Sequence, residues 1–235
     1  MALPLTSKIA RSGCVLIALV VLSGCFAQYA DRRVENTRDA YFAYQAASPC
    51  CTRLEQLRHD SWSGKPLKVD LGSESSAFEF PTGKSFLASY QLPPDSSTRV
   101  LRVKGLMTGS SQITGTTMVP AAVSFLDASK RLIGSATVGP IAYHMGMMTD
   151  SRAGGIGFVE VPNLASFVVF HTDPRLFGKS FSFSKTGGGN YVNETYLPGS
   201  TYDFTVPFVP AGQLYIRFAT SDEVERYSSL IARAN

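Results

Sequence analysis

The sequence predicts an all-β fold, an antiparallel β-sandwich of jelly-roll or immunoglobulin-like form, and three observations carry that prediction. Roughly ten short apolar runs are separated by Gly, Pro, Ser and Asp, the texture of strands joined by turns. Phe167-Val168-Val169-Phe170 is uniformly β-branched or aromatic, the composition of a strand at the centre of a sheet. Helical signals are confined to a short tether helix near the N-terminus and a short helix at the C-terminus.

Taken in order, Asn36 to Ala47 reads as the tether helix and Leu54 with Leu57 as one helical turn. Strands are expected at Lys65 to Leu71, Ala77 to Phe80 and Ser85 to Leu92, the last ended by Pro93-Pro94-Asp95. Arg99, Arg102 and Lys104 alternate in part with Val100, Leu101 and Val103, so one face of that segment is expected to be wet. Ala121 to Leu126 stops at Asp127, and Ala128-Ser129-Lys130 turns the chain into Leu132 to Val138, a hairpin. Gly154-Gly155-Ile156-Gly157 reads as a turn before a strand, not as a phosphate cradle. Ser166 to Thr172, Tyr202 to Val206 and Gln213 to Ala219 complete the strands, and Ser184 to Asn190 reads as an exposed glycine loop. Ser221 is the expected N-cap of a helix from Asp222 to Arg233, whose first turn carries Asp222 and Glu223 where the helix dipole favours acids.

The first 24 residues do not belong to this fold. Lys8 and Arg11 precede an apolar run of 9 residues, Cys14 to Leu22, far short of the roughly 20 that a helix needs to cross a bilayer. Leu22-Ser23-Gly24 then stands directly before Cys25. This pattern resembles the lipobox of bacterial lipoproteins, and the resemblance makes residues 1–24 a signal peptide and Cys25 the lipidated mature N-terminus. Several acyl chains, at about 0.8 kcal/mol per buried methylene, would hold the protein on a membrane. Phe26, where an inner-membrane retention signal would place Asp, points to an outer-membrane lipoprotein facing the periplasm. The organisation expected is a signal peptide over 1–24, a lipid-anchored polar tether over 25–48 and a β-sandwich over 49–235.

Removing 24 of the 235 residues leaves 211, room for one generous sandwich. Lys8 and Arg11 account for two of the +4 charges, which leaves the mature chain near +2 and argues against a nucleic-acid partner. Cys50 and Cys51 are adjacent and would meet an oxidising compartment. A vicinal disulfide, a bridge to a partner chain and free thiols are all open to this pair. The spaced C-x-x-C of redox catalysts is absent from the sequence.

Several stretches together resemble the maltose operon periplasmic protein family, MalM. They are Cys50-Cys51 followed by Leu54 and Leu57, then Ser85-Phe86-Leu87-Ala88-Ser89-Tyr90-Gln91-Leu92-Pro93. Val119-Pro120 leading through Val123-Ser124-Phe125 to Leu126-Asp127, and Val168-Val169-Phe170-His171-Thr172, extend the likeness. The resemblance implies a β-rich, non-enzymatic envelope protein associated with maltose or maltodextrin use, and it supplies no catalytic residue.

The residues themselves single out no reaction. No G-x-S-x-G elbow and no H-E-x-x-H zinc motif occurs in the sequence. His59, His144 and His171 do not fall at metal-ligand spacing. His144 with Met145, Met147 and Met148 has the soft donors of a copper(I) site, but methionines fill loops and cores as well. Catalytic residues, metals and cofactors are therefore expected to be none. Carbohydrate binding needs only flat aromatics and a few amides on a rigid scaffold. Trp62, Tyr191, Tyr196 and Tyr202 lie in or near polar loops, and Tyr191 and Tyr196, flanking the glycine loop, are the candidates of choice. The expectation is an anchored protein that binds an oligosaccharide, or else an assembly lipoprotein that binds another envelope protein.

Overall fold

The computed structural model describes residues 37–94, 99–108, 116–139, 142–144, 153–186, 190–192, 195–197 and 201–234. The signal peptide, Cys25, the first part of the tether, Met145, Met147, Met148 and the glycines 187–189 lie outside the described residues.

A helix, α1, covers residues 37–46. Strands follow as β1 (Asp60–Ser61), β2 (Leu67–Leu71), β3 (Ser76–Phe80), β4 (Gly83–Gln91), β5 (Val100–Leu106), β6 (Ala121–Leu126), β7 (Leu132–Val138) and β8 (Ala142–His144). The second half supplies β9 (Gly154–Glu160), β10 (Phe167–Thr172), β11 (Ser180–Thr186), β12 (Asn190–Val192), β13 (Thr195–Leu197), β14 (Thr201–Pro207) and β15 (Gly212–Phe218), then helix α2 (Ser221–Ala234). One sheet has the order β1-β4-β10-β6-β7 with β3 also on β4, and the other has the order β2-β15-β5-β9-β8. The sheets are antiparallel apart from the short β1–β4 pairing.

The main core lies between the sheets. Phe86, Val123, Phe125, Val168 and Phe170 from one sheet meet Val69, Leu71, Leu101, Val103, Leu214 and Ile216 from the other. Alternation alone would leave the outer faces wet, yet β6 is buried along its whole length and β10 along all but its first residue. Their outer residues Leu126 and Val169 are covered by Phe78, Phe80 and Leu57, which form a second cluster. On the opposite sheet α2 lays Val224 and Tyr227 over Ile156 and Phe158 of β9. Covering both faces explains the uninterrupted apolar runs in the sequence. It also corrects the expectation of a wet face on β5, where Arg102 and Lys104 are both buried.

The hairpin β6–β7 has the expected ends because Asp127 organises its turn. The carboxylate accepts bonds from the Arg131 backbone N–H at 2.9 Å and from Arg131 Nε at 2.9 Å. Gly154 to Gly157, expected as a turn, is strand β9 itself. A Cβ on Gly157 would stand 2.5 Å from the Gly139 carbonyl and 2.6 Å from Val138, closer than any real contact, so the glycine lets β7 and β9 approach where the sheets meet. The cap of α2 also differs from expectation. Thr220, not Ser221, closes a capping box: Glu223 N–H donates to Thr220 Oγ1 at 3.3 Å, and Thr220 N–H donates to Glu223 Oε2 at 3.0 Å.

The segment expected as a tether is docked over its second half. Tyr44 of α1 packs edge-on against Phe86 and Phe177, and its hydroxyl donates to the Lys84 carbonyl at 2.8 Å. Lys84 Nζ returns bonds to the carbonyls of Gln45 at 3.1 Å and Ala47 at 2.9 Å. A cation at the carbonyl end of a helix contributes about 0.3–1 kcal/mol.

Candidate functional site

Strands β11 and β14 pair as one two-stranded ribbon and β12 and β13 as a second, so Ser184 to Thr186 and Asn190 of the expected loop lie in strands, while its glycines 187–189 lie outside the described residues. Ser180 pairs with Pro207 and Thr186 with Thr201, and the same register resumes at Asn190 with Leu197. Tyr191 and Tyr196, candidates on sequence position alone, are direct cross-strand partners between β12 and β13. Tyr202 pairs with Lys185 on the β11–β14 ribbon. At its base Phe181, Phe183 and Val206 pack with Met107, Met118 and Phe208.

Trp62 does not join the tyrosines. It is 6% exposed in the main core, stacks on Phe218 with ring centroids 5.0 Å apart, and donates its indole N–H to the Lys65 carbonyl at 2.7 Å. Its small and polar neighbours, Ser61 at the end of β1, Ser63 and Gly64 at a bend, are what a sequence reading mistakes for exposure.

A cleft of about 360 Å³ opens where β2 ends and β15 begins. Asp70, Glu74, Gln213, Ser73 and Thr108 bring carboxylate, amide and hydroxyl groups to its wall. Asp70 and Gln213 are register partners, and the Gln213 amide donates to the Asp70 carboxylate. The turn beneath is fixed by Ser75, whose Oγ donates to the Asp70 carbonyl at 2.8 Å and accepts from Gly72 N–H at 3.1 Å. A wall rich in acceptors suits a ligand rich in O–H or N–H donors.

The buried polar groups on the outer face of the other sheet serve the fold. His171, 3% exposed, stacks on Phe80 with centroids 3.9 Å apart. Its Nδ1 lies 3.0 Å from the Thr172 carbonyl and its Nε2 lies 3.0 Å from Ser124 Oγ. Burial pushes its pKa down to about 4, against the opposing pull of the Thr172 carbonyl and Asp173. The neutral ring therefore donates from Nδ1 and accepts at Nε2 from Ser124, which in turn lies 3.1 Å from the hydroxyl of Ser135. A serine–histidine pair this enclosed has no room for an acyl substrate. Asp173 is likewise engaged, with Thr137 at 2.6 Å and Arg175 at 2.7 Å, and these bonds outweigh burial to hold its carboxyl below the usual range.

Cys50 and Cys51 bring their sulfurs together, with Cα atoms 3.8 Å apart, beside the Cys50 N–H bond to the Ala77 carbonyl at 2.8 Å. His144 sits on β8 opposite Gly154. Among the described residues no three His, Cys, Asp or Glu side chains are grouped to hold a metal.

No family model, curated protein or solved structure matches this chain. The likeness to the maltose operon family therefore rests on the motifs quoted above.

Proposed function

We propose that this chain is a non-enzymatic envelope lipoprotein of the MalM type, anchored through Cys25 to the outer membrane, which binds a carbohydrate on its periplasmic sandwich. The cleft of Asp70, Glu74, Gln213, Ser73 and Thr108 is the observation that carries this reading. Sugar hydroxyls supply the donors that such a wall accepts, and the pairing of Asp70 with Gln213 holds both groups in place before a ligand arrives. The register partners Tyr191 and Tyr196 are the second set of candidate contacts.

Calorimetric titration of the detergent-solubilised mature protein with maltodextrins of increasing length tests the reading. Heat that is lost in Asp70→Ala or Gln213→Ala supports the cleft, and loss in a Tyr191→Ala, Tyr196→Ala double variant moves the contact to the ribbon. Silence across the whole series removes carbohydrate binding. In the same cells Cys25→Ala releases the protein from the membrane fraction, and retention contradicts the anchor.

One observation favours a second reading, an assembly lipoprotein that binds another protein. Leu132, Ile133 and Leu164 are 50%, 37% and 76% exposed, and β7 ends its sheet beside a register shift at Phe125/Leu126. Crosslinking from intact envelopes to one reproducible protein, lost in Leu132→Asp with Leu164→Asp, selects this reading over the first.

A further inference from the structure

Helix α1 carries an aromatic side chain that the fold does not use. Tyr44 faces the sandwich, whereas Phe42 is 60% exposed on the same short helix. Tyr41 contacts Phe177, which follows the turn Pro174–Leu176, so α1 lies at the end of the sandwich where β4 begins and β10 finishes. Arg38, Arg175 and Lys179 are exposed there, against the acids Asp39 and Glu79.

The other end of the sandwich is defined by the opposite ends of the same strands. Gln91 pairs with Phe167, Phe167 with Leu126, and Leu126 with Leu132. Leu132, Ile133 and Leu164 thus lie a β4 length away from α1, and nine residues at about 3.3 Å each make that roughly 30 Å.

Only eleven residues lie between Cys25 and the first residue of α1, a reach of at most about 43 Å when fully extended. An anchor on Cys25 holds the α1 end near the bilayer with little of that reach. Bringing the Leu164 end to the bilayer consumes most of it, because the chain must first travel the length of β4.

We infer that the α1 end of the sandwich rests on the phospholipid surface, with Phe42 seated among the headgroups, and that the Leu132–Leu164 end faces away from it. The inference rests on lipidation of Cys25. Aromatic side chains suit the boundary between headgroup and acyl chain, and basic neighbours suit anionic lipid. The docked helix then does more than lengthen a tether: it sets which end of the domain the periplasm meets.

The test uses acylated full-length mature protein in phosphatidylethanolamine–phosphatidylglycerol vesicles whose lipids are brominated near the headgroup. Phe42→Trp and Leu164→Trp are compared with wild type, whose single Trp62 is buried. Added emission in Phe42→Trp is expected to fall by roughly half, the behaviour of an interfacial indole, with none lost in Leu164→Trp. Quenching at position 164, or no quenching at position 42 while Cys25 carries its acyl mass, overturns the inference and leaves the anchor standing. A Cys25 peptide with no acyl mass removes the anchor and the inference together.

Discussion

Arg217 on the last strand donates a 2.6 Å hydrogen bond to Glu223 in the first turn of α2, and the second oxygen of the same carboxylate caps Thr220. One side chain thus closes the helix start and ties it to the sheet, with buried Arg102 a further 3.5 Å from Glu223 Oε1. Glu223→Ala removes the cap together with the bonds to Arg217 and the ion pair with Arg102, a loss of about 2 kcal/mol. Urea unfolding reads it as a lowered midpoint, and an unchanged midpoint would show that the clamp is idle. Burial opposes ionisation of Glu223, but Arg217, the Thr220 N–H and Arg102 outweigh it and hold the carboxyl below its usual range. Its contribution is therefore present above the ordinary carboxylate pKa and is lost as pH falls through the lowered one; Glu223→Gln flattens that part of the acid limb.

How far the sequence reveals such features depends on how local their causes are. The β6–β7 hairpin is legible to the residue because Asp127 and Arg131 build its turn from neighbours in the chain. Strand β9 is not, since its glycines answer to backbone on β5 and at Gly139 rather than to anything beside them. The cleft has the same difficulty: Asp70 and Gln213 are 143 residues apart and meet only through strand register. Tyr191 and Tyr196, singled out as flanking the glycine loop, meet instead through the register of β12 with β13, and Trp62 misleads because its burial is imposed by Phe218 from the far end of the chain.

His171 makes stability depend on pH in a definite direction. The folded pKa of about 4 lies below the ordinary 6.5, so the unfolded chain takes up the proton first as pH falls. The stability held by the neutral ring is complete above pH 6.5 and drains away down to about pH 4, roughly 3 kcal/mol at 1.36 kcal/mol per unit. In His171→Phe, which keeps the stack on Phe80, the difference from wild type in the slope of stability against pH is expected over this window. Parallel slopes in the two proteins would mean that the histidine is solvated in the native state.

Gly157 has no freedom to gain a side chain. The Cβ of alanine would press on the Gly139 carbonyl and on Val138, and neither can retreat without opening the sheet junction. Gly157→Ala is expected to cost about 2–3 kcal/mol, in the range of overpacked cores. Gly139→Ala serves as the control, because nothing lies within 4 Å of the Cβ it would add. Equal thermal midpoints for the two variants would contradict the close approach of β7 to β9.

Cys50 and Cys51 stand at the point where α1 gives way to the sandwich. Pro49 bridges to Ala77, the Cys50 N–H donates to the Ala77 carbonyl, and Cys51 packs near Leu54 and the outer cluster under Phe78 and Phe80. The sulfurs are juxtaposed, and the oxidising compartment of the proposed function would supply the conditions for a bond between them. Peptides spanning Pro49 to Arg53, taken without reduction from protein made in an oxidising compartment, are expected to lack two hydrogens and to resist alkylation. Because a residue in this corner anchors β3 through Ala77, Cys50→Ser with Cys51→Ser is expected to raise amide exchange at Ala77 and its neighbours while leaving β6 and β10 protected. A peptide alkylated on both thiols before reduction would leave the corner held by Pro49 and the Cys50 N–H alone, and exchange at Ala77 would then be the same in both proteins.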